Sequence, residues 1–275
     1  MWFKFHSMQR IQLIVFLILT GLMNLAGQEK QVHARQQKLD LYLLIGQSNM
    51  AGRGKIEAQD TISPERVLTL TKNLEWKAAK DPIHFDKSAA GTGLGRTFGI
   101  EMAKSNNNAV IGLIPCAVGG TSIDVWKPGA FDQATKTHPW DDMVKRVQFA
   151  LQYGELKGIL WLQGESDSNP SKCDAYEEKL ADLIDRTRKL NGNPNTPFVC
   201  GELGQFYIEK VRKNAKKGPA DQVVKATKAL VKKDKHAAFV NSKGLTHIGD
   251  QTHFDARSVR ELGKRFARAM QKIQR

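Results

Sequence analysis

Short apolar runs alternate along this chain with longer segments whose apolar residues recur every three or four positions. Leu39–Ile45, Ala109–Ile114, Gly158–Leu162, Phe198–Cys200 and Ala237–Asn241 read as buried strands. Gly95–Ser105 places Phe98 and Met102 four apart, as a short helix does. Trp140–Tyr153 lines Met143, Val144, Val147 and Leu151 along one face. Cys173–Leu190 does the same with Tyr176, Leu180, Leu183, Ile184, Thr187 and Leu190. Gln222–Lys232 is a further helix. The last, Asp255–Ile273, carries the stripe Val259, Leu262, Phe266, Met270 and Ile273, with Asp255 as its N-cap. Residues 53–95 break the rhythm with turn signals and a candidate hairpin, Val67–Leu70 with Leu74–Lys77. They read as a long functional insertion rather than a separate domain. Strand then helix, repeated, predicts an α/β fold with five mostly parallel strands and helices on both faces.

In such a sheet the turns that follow the strands gather along one edge. That changes the meaning of several polar turns. GQSN (46–49), VGGTS (118–122) and QGESD (163–167) each follow a strand, and the loop of Asp250 and His253 follows the fifth. A serine that attacks an acyl group needs a base, a group that orients the base, and donors for the developing oxyanion. Ser48 supplies a hydroxyl and its own N–H. His253 is the candidate base, with Asp250 three residues before it and Glu165 as a second carboxylate near the same edge. Gly119, Gly120 and Gln163 are candidate oxyanion donors. Each of these has an ordinary explanation as a turn, cap or surface residue. Their joint occurrence at successive strand ends is what those explanations account for badly.

Composition and charge refine the picture. Of 275 residues, 41% are hydrophobic and 25% charged, which is ordinary globular composition with length for one sizeable core. The start differs. MWFKFHSMQR carries Lys4 and Arg10 without an acid, and Ile11–Met23 is apolar but for Gln12, Thr20 and Gly21. Polar NLAGQEKQ follows. Residues 1–27 thus read as a secretory signal peptide, with an uncleaved N-terminal anchor as the alternative. The run is short for a membrane span, which needs about 20 apolar residues. Residues 28–38 read as a linker and 39–275 as the functional domain. Export to a secreted or periplasmic location is the expectation. It permits disulfides, but three cysteines (Cys116, Cys173, Cys200) cannot all pair, and buried free thiols are the default.

The formal net charge is +14. Tyr207–His236 holds ten Lys/Arg against three acids, and the last 19 residues hold seven against one. Such a basic balance raises nucleic acid as a partner, but no recognised binding motif accompanies the charge and the export signal argues against it. Attraction to an anionic glycan or cell surface fits better. HIGDQTHFD offers His247, Asp250, His253 and Asp255 as conceivable metal ligands, yet no second carboxylate-rich segment completes such a site. The GTGLG stretch at 91–95 follows no strong strand and is a poor phosphate loop.

GQSNMAGRG, GGTS, WLQGESD and DQTHFD, in that order, resemble the blocks of SGNH hydrolases. They are most similar to the branch of carbohydrate esterase family six and the sialate O-acetylesterase-like domain. The resemblance runs from about Leu39 to the C-terminus. Met50 replaces the last glycine of G-x-S-x-G, which argues against an α/β-hydrolase elbow. The resemblance implies a three-layer αβα sandwich of flavodoxin-like type. It implies Ser48 as nucleophile, His253 as base, and Ser48, a glycine of Gly119-Gly120 and Gln163 as the oxyanion hole. Either Asp250 or Glu165 would orient His253, Asp250 being preferred. The expected activity is hydrolysis of acetyl esters on a poly- or oligosaccharide, without metal or cofactor. Gln47, Asn49, Arg53 and Trp126 are expected to contact substrate, with Phe131 and Trp140 as further aromatic candidates. A lipase or thioesterase, or a non-catalytic glycan-binding protein, are the competing classes.

Overall fold

The computed structural model describes residues 38–214 and 218–275. The segment read as signal peptide or anchor, and linker residues 28–37, lie outside them. Strand β1 (Leu39–Gly46) forms the centre. Leu39, Leu41, Leu43 and Ile45 enter one core, while Tyr42 and Leu44 enter the other. A strand buried on both faces reads as a continuous apolar run, because neither side meets water.

The sheet also contains β2 (Val67–Leu70), β3 (Trp76–Ala78), β4 (Val110–Pro115), β5 (Gly154–Leu162), β6 (Phe198–Gly201) and β7 (Ala237–Val240). Their spatial order is β3-β2-β4-β1-β5-β6-β7. Every pairing is parallel except β2 with β3. A helical turn, α1 (Ser48–Ala51), follows β1, and six helices complete the described fold: α2 (Leu94–Ser105), α3 (Pro139–Ala150), α4 (Tyr176–Leu190), α5 (Gln205–Asn214), α6 (Pro219–Lys233) and α7 (Ala256–Ile273). Residues of α3, α4 and α6 fill the core on one face; those of α2 and α7 fill the other. The result is the expected αβα layering.

The sheet has seven strands, not five. The hairpin in the insertion forms, and β2 pairs with β4 from Val67↔Ile111 to Thr69↔Leu113. Gly99 in α2 makes room for it: a Cβ there would lie 2.6 Å from Val67 Cγ1. Strand β5 begins four residues before Gly158, because backbone pairing with Leu39–Leu41 recruits Gly154, Glu155 and Leu156, with Lys157 at a shift in register. Helix α6 starts at Pro219 rather than Gln222, with proline at its first turn, where a missing N–H costs nothing. Asp255 caps α7 by accepting from Ser258 N–H, as its position predicts. Helix α5 was not anticipated. Ten residues with only four large apolar side chains give periodicity too little to register. All three cysteines are buried and free.

Candidate active site

Gly46 ends β1 with φ +139°, and a Cβ there would lie 2.1 Å from the Leu162 carbonyl oxygen. Only glycine allows the chain to leave the sheet this close to β5. The turn then presents Ser48 at the start of α1, at the carboxyl edge of the sheet.

The loop between β7 and α7 reaches the same edge. His253 Nε2 lies 3.0 Å from Ser48 Oγ, and His253 Nδ1 lies 2.5 Å from Asp250 Oδ2. The other Asp250 oxygen accepts the backbone N–H groups of Thr252 and His253, both at 2.9 Å. Burial alone would raise the Asp250 carboxyl. The hydrogen bonds from His253 and Thr252 outweigh it and hold the group below the ordinary aspartate value. A charged, oriented carboxylate therefore faces the imidazole.

Glu165 does not touch that ring. Its Oε1 accepts from Asn49 Nδ2 at 2.5 Å, and its Oε2 is buried without a partner. Burial raises its carboxyl above the usual range; the Asn49 bond and His253 oppose this only in part. Asn49 also donates to the Thr252 carbonyl and accepts from Phe254 N–H, at 3.0 and 3.1 Å. It thereby rivets the histidine loop to the nucleophile turn.

Several expected contact residues have other tasks. Gln163 is buried, and its Nε2 meets Gln47 Oε1, the Thr121 carbonyl and Asp167 Oδ2 at 3.0, 3.0 and 2.5 Å. With two N–H bonds to give and three acceptors around it, it has none left for an oxyanion. Gln47 is likewise internal, its Oε1 accepting also from Ser166 N–H at 3.2 Å. Asn49 is 1% exposed and serves the loop rather than substrate. Trp126 is fully buried, packed edge-on against Trp161 with Nε1 on Thr121 Oγ1. It belongs to the core because its apolar surface and single donor are both satisfied there. Trp140 is also buried, beneath Arg186; Phe131 alone of these aromatics stays exposed, against His138. Arg53 pairs with Asp86 at 2.7 Å, with little of its side chain exposed.

Asp86 had no signal in the sequence. Its Oδ2 also accepts Gly119 N–H at 2.9 Å, so that donor is engaged. The Ser48 N–H opens α1 and has no intrahelical acceptor, and the Gly120 N–H, on a residue with φ +89°, meets none among the described residues. Helix α5 supplied the other unforeseen contributors. Tyr207 Oη donates to the Glu165 carbonyl at 2.9 Å, Lys210 Nζ reaches Thr252 Oγ1 at 2.9 Å, and Phe206 packs on His247 and Phe254.

A hydroxyl, an imidazole and a carboxylate thus stand in hydrogen-bonded series at the carboxyl edge of a parallel sheet, where α/β folds place their sites. The chain matches the model of the family described as "Carbohydrate esterase, sialic acid-specific acetylesterase" (SASA) over residues 38–272, and it belongs to that family. It is a carboxylic ester hydrolase of the carbohydrate esterase kind. It is 31% identical over 252 residues to the probable carbohydrate esterase At4g34215 of Arabidopsis thaliana, covering 83% of this chain and 89% of that protein. The crystal structure of the Arabidopsis protein superposes with a TM-score of 0.73 at 29% identity, over 86% of this chain and 98% of that one. The fold is shared by NanS (TM-score 0.68, 14% identity, 86% and 98% covered). It is shared too by XAC1771, a carbohydrate acetylesterase from Xanthomonas citri (TM-score 0.66, 20% identity, 86% and 56% covered).

Proposed function

We propose that this esterase removes O-acetyl groups from carbohydrate, outside the cytoplasm, through Ser48, His253 and Asp250. The observation that carries the reading is the unbroken series Ser48 Oγ, His253 Nε2, His253 Nδ1 and Asp250 Oδ2. His253 takes the hydroxyl proton as Ser48 Oγ bonds to the acetyl carbonyl carbon. Asp250 holds the Nδ1–H tautomer and stabilises the imidazolium that forms. The oxyanion is met by the Ser48 and Gly120 N–H groups. Collapse breaks the bond to the sugar oxygen, which leaves as an alcohol with the proton from His253. Water, giving its proton to the same ring, then attacks the acetyl-serine; acetate leaves as the ring returns that proton to Ser48 Oγ.

Acetylated xylan-like polymers and O-acetylated sialic acid are the substrate classes that fit. The basic surface favours a polymer carrying negative charge. The N-terminal apolar run supports export. Fractionation of the producing cells tests that part: a protein found wholly in the cytoplasm would reject it. The chemical test is acetate release from p-nitrophenyl acetate and from acetylated xylan, wild type beside Ser48→Ala. The expected result is a fall of about 10³-fold or more in the variant. Equal rates would reduce Ser48 to a turn residue.

A further inference from the structure

A cleft of about 530 Å³ opens between the insertion and the segment that leads into α3. Phe85, Asp86, His84, Thr135, Thr137 and Arg146 are among its lining residues. Three features of it are unusual together.

The first is a rigid exposed ring. Phe85 is 40% exposed. The Arg146 guanidinium sits 4.6 Å from its centroid. Arg146 is itself fixed by bonds to the carbonyls of Pro115, Thr71 and Leu70, at 3.1, 3.0 and 2.6 Å. A large apolar ring is thus locked in place while much of it stays uncovered.

The second is unmet hydrogen-bonding capacity. The Asp86 side chain is 1% exposed; Arg53 and Gly119 occupy Oδ2, but Oδ1 has no partner. His84 is also buried, and neither ring nitrogen finds a partner at full hydrogen-bond geometry, the Leu44 carbonyl being a weak acceptor. Burial pushes this histidine down to about 4, so it is neutral, with an acceptor nitrogen to offer. Buried groups of this kind are costly unless a ligand or water satisfies them.

The third is proximity. Asp86 bonds Gly119, and the Cβ position of Gly119 lies 3.5 Å from Ser48 Cβ. Asp86 thus joins the wall of the cleft to a residue that packs against Ser48.

A flat apolar face bordered by acceptors and donors fits one ligand chemistry well. A pyranose ring offers C–H groups to the aromatic face and hydroxyls to the polar rim. An aliphatic acyl chain would leave Asp86 Oδ1 unpaired. We propose that this cleft is a sugar subsite of the enzyme: Phe85 carries a pyranose of the acetylated chain, and Asp86 Oδ1 accepts one of its hydroxyls. The inference rests on the carbohydrate deacetylase reading above and adds where the sugar sits.

Phe85→Ala and Phe85→Tyr test it, since an exposed ring can be changed without opening the core. The substrates are partially O-acetylated xylotriose and p-nitrophenyl acetate, which has no sugar to place. The expected result for Phe85→Ala is a KM on acetylated xylotriose raised about tenfold or more. Its kcat/KM on p-nitrophenyl acetate should stay within about twofold, and Phe85→Tyr should restore the sugar KM. An unchanged KM on acetylated xylotriose, with wild-type turnover intact, would overturn the subsite alone. A parallel loss on both substrates, or failure of Phe85→Tyr to restore binding, would also overturn it. Wild type that cleaves p-nitrophenyl acetate but no acetylated sugar would instead reject the carbohydrate reading, and the subsite with it.

Discussion

Asp250 binds the imidazole through one oxygen and two backbone N–H groups through the other, whereas Glu165 reaches the histidine loop only through Asn49. Asp250→Asn is therefore expected to offer His253 the wrong hydrogen-bond partner and lower kcat by about 10³–10⁴-fold. Glu165→Gln keeps an oxygen for Asn49 and is expected to lose less than about tenfold. Steady-state rates on p-nitrophenyl acetate check both, and the reverse order would make Glu165 the orienting group. Gln163 gives a different kind of expectation. Gln163→Ala orphans Gln47, the Thr121 carbonyl and Asp167, so it should cost about 2–3 kcal/mol of stability in a denaturant titration. A large kcat loss with undiminished stability would return Gln163 to the oxyanion hole. The sequence singled out Ser48, His253 and Asp250 correctly as residues that meet. It misplaced Gln163 and Trp126, because residue type shows what a side chain can donate or cover, not which partner it finds first.

Among the elements, α7 ties down the insertion through a buried ion pair. Arg260 on α7 binds both oxygens of Asp60, at 2.9 and 2.8 Å, and Asp60 has no exposed side-chain surface. Thr92 and Glu57 N–H complete its shell. Removing the cation strands a buried carboxylate. Arg260→Ala should lower unfolding free energy by about 3 kcal/mol, and Arg260→Lys should recover only part, lacking the two-pronged geometry. A denaturant midpoint equal to wild type would show that the insertion's other contacts hold it without the ion pair. The same scale explains which elements were legible. Strands β1, β4 and β6 announce themselves because both faces are buried. Strand β3 and helix α5 are half-exposed or short, so their residues carry little pattern. Pairing and packing define them instead.

Across the whole molecule, carboxyl groups shift in both directions, and the signs set the pH profile. Asp60, Asp124, Glu202, Asp221, Asp250, Asp255 and Glu261 are held below their ordinary values. For these the unfolded chain binds more protons in acid. The stability they give is complete above their unfolded values of 3.8 and 4.5 and is lost as pH falls through the folded ones. Asp81 has the opposite sign. Burial, then repulsion from Asp60, raises it to about 7 from 3.8, so the folded state holds its proton longer and stability falls as pH rises between those values. The expected profile is steep loss below about pH 4 and a gentler decline toward pH 7. Asp81→Asn should remove the decline, stabilising the protein more at pH 8 than at pH 5 by about 2 kcal/mol. Melting curves at the two pH values check it; an equal effect at both would mean Asp81 stays charged in the fold.

The sequence by itself determined the α/β class, the strands of the central sheet, the helices that cover it, and the residues gathered at its carboxyl edge. It could do so because periodicity, glycine turns and parallel topology are local or nearly local facts. Only the tertiary structure decided that the hairpin extends the sheet to seven strands, that Asp250 rather than Glu165 holds His253, and that Gln47, Gln163 and Trp126 are interior. It also brought Asp86 onto Gly119, next to Ser48. Burial and the choice among hydrogen-bond partners depend on what lies across the molecule, and a residue's neighbours along the chain carry little trace of that.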